Sequence, residues 1–426
     1  MTEMLKTPRN RGVALMLAAA LAVLGLTLLS TKAISAPVTG PVLTKTAPAI
    51  EATKARDDDD DQDDDRRDPE ILRFSTVGDS RQDPVSPDPS QLPVSPQDKH
   101  WLENTKAFTR ILDTIHEQKA QLFVFNGDMI MGYGNAIVPA KTATVTDIVG
   151  SDLVNFYIQY AFWRGMVSRT MVNGIYVVPV AGNHEVQWKA GGKKAQVANE
   201  NAWRANMGDL ILDDARFMDL YGETPTSENV GNNGPVDGLS SDQSQLSYSF
   251  DFRGIHFVVI NTDPVGADSH APSKWLATDL AAAKARGVIR SFVFGHKPAF
   301  TYYYGAPPTA PLPASPSGLD IDVPARDAFW EVIEAYDATY ICGHEHIFHL
   351  MQPTAATGGH SWQILVGSGG SPFEAPPTVT TVNPQTDRDY AWATIKVYKS
   401  GKVKLTAYGF DDLYGPTHVL QKVTIH

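Results

Sequence analysis

Residues 338–346 read Ala338-Thr339-Tyr340-Ile341-Cys342-Gly343-His344-Glu345-His346. The first five are apolar or β-branched and suit a buried pleated strand. A glycine ends the run, and two imidazoles follow at once. The same sequence of events occurs four more times. The strand starting at Ile71 stops at Gly78-Asp79, and the one starting at Leu122 stops at Asn126-Gly127-Asp128. The strand from Ile175 ends in Ala181-Gly182-Asn183-His184-Glu185, and that from Val288 in Gly295-His296. A lone Gly-Asp is ordinarily a turn. Five strand ends that each deliver Asp, Asn or His straight after glycine are not five independent turns. Strand ends of an open α/β sheet converge on one edge, where such folds place their sites. The glycines are expected as permissive joints where the backbone bends beside a ligand.

Outward from these ends, strands alternate with amphipathic helices, which makes the chain α/β (α+β). Trp101–Gln118 places Phe108, Ile111, Leu112 and Ile115 on one helical face. Leu153–Val167 carries Phe156, Tyr160 and Trp163 at helical spacing, a core stripe. Tyr248–Phe252 and Ile255–Asn261 form a hairpin across Arg253-Gly254. Helices follow over Pro272–Arg286 and Pro324–Tyr336, and the chain beyond His349 is mostly strand. Three insertions read as long loops: 83–97, 187–245 (with one short helix near Trp203) and 306–317.

The N-terminal 70 residues read as leader and tether. Lys6, Arg9 and Arg11 precede an apolar run from Gly12 to Leu29, then small residues at 33–36. That order describes a signal peptide over 1–36, and the length of the run equally suits an uncleaved membrane anchor. Either way residues 71–426 are expected to be exported: periplasmic, secreted, or anchored facing outside. Residues 37–70 carry the run Asp57–Asp61 and read as an acidic, disordered linker, because like charges repel and nothing apolar can be buried. An interaction role for this run through calcium lacks the glycine punctuation of a calcium loop.

The net charge of −12 excludes nucleic acid as the main partner, since phosphate backbones are held by clustered Lys and Arg. It leaves room for a phosphorylated small molecule, because bound cations can supply positive charge locally. The single cysteine, Cys342, allows no intrachain disulfide and lies in an apolar strand, as structural thiols do. Carboxylate, amide oxygen and imidazole together suit divalent or trivalent ions such as Mn, Fe or Zn. Two such ions can cleave a phosphate ester with a bridging hydroxide as nucleophile.

The ordered set Gly-Asp, Gly-Asp, Gly-Asn-His-Glu, Gly-His, Gly-His-x-His resembles that of the calcineurin-like metallophosphoesterases, purple acid phosphatases among them. The resemblance covers residues 71 to about 370. It implies two β-sheets packed face to face with helices outside, four layers in all, and a hydrolase holding two metal ions. It implies Asp128 as the bridging ligand, completed at one ion by Asn183, His296 and His344. Asp79 and His346 would hold the other ion. His184 would contact the phosphate and protonate the leaving oxygen. Gly367-Ser368-Gly369-Gly370 is similar to the family's closing glycine-rich strand end.

The chain departs from the family at one ligand. Many members have Asp-x-His where this chain has Asp79-Ser80-Arg81, and Met131 stands where purple acid phosphatases have a ligating tyrosine. Arg81 cannot ligate a cation, but it can contact a phosphate oxygen. Water, another side chain (Tyr133 or His100) or a weak first site remain as ways to fill the gap. The same core also suits a phosphodiesterase or nucleotidase, or a degenerate, non-catalytic surface binding protein.

Overall fold

The computed structural model describes residues 67–81, 96–231, 236–304 and 317–426. The leader or anchor, nearly all of the acidic linker, and most of the loops 83–97 and 306–317 lie outside these residues. The chain opens with β1 (Glu70–Val77), α1 (Pro96–Glu117), β2 (Leu122–Phe125), α2 (Val145–Val149), α3 (Asp152–Val172) and β3 (Tyr176–Pro179). There follow α4 (Asn183–Val186), β4 (Gln187–Trp188), β5 (Lys194–Ala195), α5 (Val197–Met207), α6 (Asp214–Tyr221) and β6 (Thr226–Asn229). Next come β7 (Tyr248–Phe252), β8 (Ile255–Val259), α7 (Ser273–Arg286), β9 (Arg290–Phe294), α8 (Val323–Ala335) and β10 (Thr339–Cys342). The last are β11 (Phe348–Met351), β12 (Gln363–Val366), β13 (Tyr390–Tyr398), β14 (Val403–Phe410) and β15 (His418–Thr424).

Two large sheets result, ordered β15-β14-β13-β1-β2-β3 and β11-β12-β10-β9-β8-β7-β6. In the first, β1, β2 and β3 are mutually parallel. In the second, β8, β9, β10 and β12 are. The side-chain period of two explains how they pack. Phe257 on β8, Phe292 and Phe294 on β9 point inward and close edge-on around Phe74 of β1, at 5.4, 5.0 and 6.0 Å between ring centroids. Their neighbours Val258 and Val293, with Tyr340 and Cys342 of β10, face the other way. They form a second core with Trp275, Leu276 and Leu280 of α7 and Phe329, Trp330 and Ile333 of α8. On the far side of the first sheet, Phe108 of α1 and Trp163 of α3 both pack on Phe125, at 5.4 and 5.1 Å. The layers are therefore helix, sheet, sheet, helix, as the resemblance implies.

The hairpin turn is as expected: Arg253 and Gly254 both have positive φ (53° and 76°), the pairing that matches the right-handed twist of the strands. One expectation fails. Residues 187–245 are not a long loop with one short helix but carry β4, β5, α5, α6 and β6. Their polar, Asn-rich composition hides a few large anchors. Trp203 and Phe217 are fully buried, and Phe217 lies 3.9 Å from Tyr176 and 5.1 Å from Phe252. A handful of aromatic contacts suffices to order a segment whose average hydropathy signals loop.

Candidate metal centre

The parallel strands β1, β2 and β3 of one sheet and β9 and β10 of the other end at the same rim of the sandwich. Two backbone bonds stitch the sheets together there. Gly78 N–H donates to Val366 O (2.8 Å), and Gly369 N–H to Gly78 O (2.9 Å). All seven expected residues and Arg81 come into this rim.

Four lone-pair atoms converge at one point. His296 Nε2 lies 3.1 Å from Asp128 Oδ1, 3.0 Å from Asn183 Oδ1 and 3.2 Å from His344 Nδ1. Asp128, His296 and His344 can hold one ion between them, their ligand atoms all lying within 4.8 Å of one another. A single ring N–H cannot satisfy three acceptors at once, whereas a cation accepts all four atoms as ligands. Asp79 and His346 stand beside this cluster, with His346 Nε2 3.7 Å from Asp79 Oδ1. That oxygen is buried and has no hydrogen-bond partner, which is costly for a carboxylate unless something charged meets it. The donor set thus fits cations at both positions.

Three imidazoles share one device. His184, His296 and His346 each lie with Nδ1 against a backbone carbonyl, those of Met131 (2.5 Å), Asn126 (2.7 Å) and Pro372 (2.7 Å). A carbonyl only accepts, so Nδ1 carries a proton in each, and Nε2 is the nitrogen that faces inward. His344 is turned the other way and presents Nδ1.

Glycine works here by close approach more than by positive φ. Only Gly127 of the glycines preceding the ligands has a left-handed backbone (φ +88°). At Gly343 a Cβ would lie 2.4 Å from Asp79 Oδ2, the atom that accepts the His344 N–H at 2.9 Å. The left-handed positions are mostly the candidate ligands themselves: Asp79 (62°), Asp128 (54°) and His344 (75°). Asp and His tolerate this better than most residues, yet strain of this kind persists only where the surroundings enforce it. Glu185 enforces it at Asp128. Its carboxylate accepts from the N–H groups of Asp128 (2.9 Å), Gly182 (2.7 Å), Met129 (2.9 Å) and Ile130 (3.1 Å).

Burial and charge set the ionisation. Burial raises the Asp79 carboxyl well above the ordinary range. Burial also works against Asp128, but His184, His296 and Arg81 outweigh it and hold its carboxyl well below. Burial lowers His296 too, yet Asp128 and Asp79 lift it to about 9. Burial lowers His184 to about 3, with Arg81 adding to the effect. His184 is therefore a neutral acceptor.

Three residues were under-read in the sequence. Tyr133, one of the two substitutes for the missing ligand, does not face Asp79. Its hydroxyl accepts the Asn183 amide N–H at 2.5 Å and its ring lies 3.8 Å from that of His184. This contact turns Asn183 Oδ1 toward His296. The other substitute, His100, has its side chain outside the described residues. Glu185 was visible only as the last letter of Gly-Asn-His-Glu, although its place three residues after the helix N-cap is a capping signal. Arg81 lies inside the centre: Nε donates to Ser371 Oγ (3.1 Å), and the two terminal nitrogens reach His184 Nε2 (3.2 Å) and His346.

Fold and rim together describe a two-sheet protein whose strand ends gather buried side chains of the kinds that can hold cations. The family pattern described as calcineurin-like phosphoesterase matches residues 98–348, more than half of the chain, and the chain belongs to that family. Among solved structures it is similar to the purple acid phosphatase PPD1 from yellow lupin (Lupinus luteus) seeds, at 12% identity and TM-score 0.49, covering 83% of this chain and 53% of that one. It is also similar to a dimetal phosphatase from Danio rerio (12% identity, TM-score 0.44, covering 83% and 99%). A third is PhoD (14% identity, TM-score 0.46, covering 83% and 69%). The chain thus spans about half the length of the lupin enzyme. No curated protein matches it in sequence.

Proposed function

We propose that this protein hydrolyses phosphate esters of small molecules at a centre of two cations (Mn, Fe or Zn). Asp128, Asn183, His296 and His344 would hold one and Asp79 and His346 the other, with Asp128 shared. The observation that carries this reading is the convergence of four ligand atoms around His296 Nε2, beside a buried carboxylate oxygen with no partner. When bound, the cations supply Lewis acidity to the phosphoryl oxygens and an activated water as nucleophile.

The chain's own side chains do the rest. Arg81 offers a guanidinium to the phosphoryl oxygens, a match of planar fork to tetrahedral anion. Its donation to His184 Nε2 is then exchanged for donation to substrate, which frees that nitrogen. An anion beside His184 raises its proton affinity, so the ring can gain the proton that it later gives to the leaving oxygen. Tyr133 keeps both Asn183 and His184 oriented. The loops beyond the rim would choose between mono- and diesters.

The test pairs elemental analysis of the purified protein with p-nitrophenyl phosphate and bis-p-nitrophenyl phosphate assays. Asn183→Ala should lose cation and turnover together. Full turnover without bound cation would end the proposal. The basic and apolar order of residues 6–29 supports export of the catalytic part. Fractionating cells that express the full chain tests it, and cytoplasmic recovery would refute it.

A further inference from the structure

The two halves of the centre are unequal. Around His296 Nε2 the chain supplies four ligand atoms. The Asp79 side has only Asp79, His346 and a share of Asp128. Tyr133 is turned to Asn183 and the Met131 carbonyl is taken by His184, so neither fills the gap, and the Glu374 carboxylate near Arg81 accepts from the His346 backbone N–H. Instead a guanidinium occupies the approach. It is fixed by Ser371 Oγ and lies against His346, whose Nε2 faces Asp79.

A guanidinium keeps its charge at any physiological pH and has no lone pair to offer. It therefore repels a cation from the place where the family's extra ligand would attract one. It also brings to that place the positive charge that a second ion would supply to substrate.

We propose that the centre retains one cation tightly, on Asp128, Asn183, His296 and His344. The Asp79–His346 position binds its cation weakly, and Arg81 stands there as the permanent positive charge facing the phosphoryl group. The unpartnered Asp79 oxygen keeps the weak position open rather than closed. This rests on the phosphoesterase reading and deepens it.

Stoichiometry tests it without reference to turnover. The full-length protein is saturated with zinc, dialysed against metal-free buffer, and analysed for retained zinc. One equivalent is expected from the wild type and two from Arg81→His, which restores a ligand and removes the charge. Arg81→Gln removes only the charge. By calorimetric zinc titration its second binding event should tighten about tenfold or more over the wild type. Circular dichroism verifies that both variants are folded. Two retained equivalents in the wild type, or an unchanged second affinity in folded Arg81→Gln, would overturn this inference alone. No retained zinc at all would bring down the phosphoesterase reading with it.

Discussion

The protein buries histidine between carboxylates twice, once on the helix-covered face of the second sheet and once at the rim where the strands end. On the face toward the helices, His256 Nδ1 meets Asp251 Oδ1 at 2.6 Å and Nε2 meets Asp279 Oδ2 at 2.9 Å. Arg286 clamps Asp251 with two bonds, while Ser249 and Asn229 donate to Asp279. Every charge there has a protein partner, and the cluster is closed. At the rim, His296 Nε2 has three acceptors for one proton and Asp79 Oδ1 has none to receive. A buried ionic cluster complete in itself specifies structure; one that leaves atoms over is asking for a ligand.

The sharpest way to break this contrast is to remove a ligand from each. His344→Ala should lower phosphate ester turnover by more than about 10³-fold, the scale of losing cation and activated water together. Retained turnover would show that the open cluster is not the active one. His256→Ala should leave cation content unchanged. It should cost about 3–5 kcal/mol of stability in urea unfolding, because two carboxylates lose their buried partner. A change in bound cation instead would erase the distinction between the clusters.

Smaller effects sharpen it. Tyr133→Phe removes the hydroxyl that orients Asn183 and should weaken cation binding by about 10- to 100-fold, as loss of an outer-shell partner does. An unaltered cation affinity would make Tyr133 a packing residue only. The imidazolium of His296, with its pKa lifted to about 9, must lose its proton before it can ligate. Apparent affinity for zinc should therefore rise about tenfold per pH unit between about 7 and 9, with proton release on binding. A flat profile would mean that the ring is already neutral.

The least effect belongs to the closed cluster. Burial opposes the charge of His256, but Asp251 and Asp279 raise its pKa above the ordinary 6.5. Its stabilisation is then full below that value and is lost as pH climbs through the raised one. Burial likewise opposes the charge of Asp251, yet His256 and Arg286 pull its pKa below 3.8, so its share is full above that value and is lost as pH falls through the lowered one. The urea midpoints of wild type and His256→Gln should lie furthest apart between about pH 4 and 6.5 and draw together above. A constant gap would refute the assignment.

The strand ends were legible because each announces itself as apolar run, glycine, polar residue. The layers were implied by the family resemblance, and the alternation of strand and helix periods agreed with them. What stayed hidden was whatever depends on contacts between remote residues. No spacing tells which nitrogen of His344 faces inward, or that Tyr133 serves Asn183 instead of Asp79. The order in 187–245 rests on Trp203 and Phe217 finding pockets, which average polarity conceals. Arg81 could be read as a non-ligand, but its reach to His184 and His346 needed the rim assembled.

The candidate ligands are divided between the sheets: Asp79, Asp128 and Asn183 come from one, His296, His344 and His346 from the other. Neither half can capture an ion as the full set does until the phenylalanine cluster around Phe74 has brought the sheets into register. On the proposed reading, metal uptake would be a late event in biogenesis, and a loaded centre would certify that assembly has finished. Once seated, such an ion would act as a rivet, since pulling the sheets apart would also have to release it.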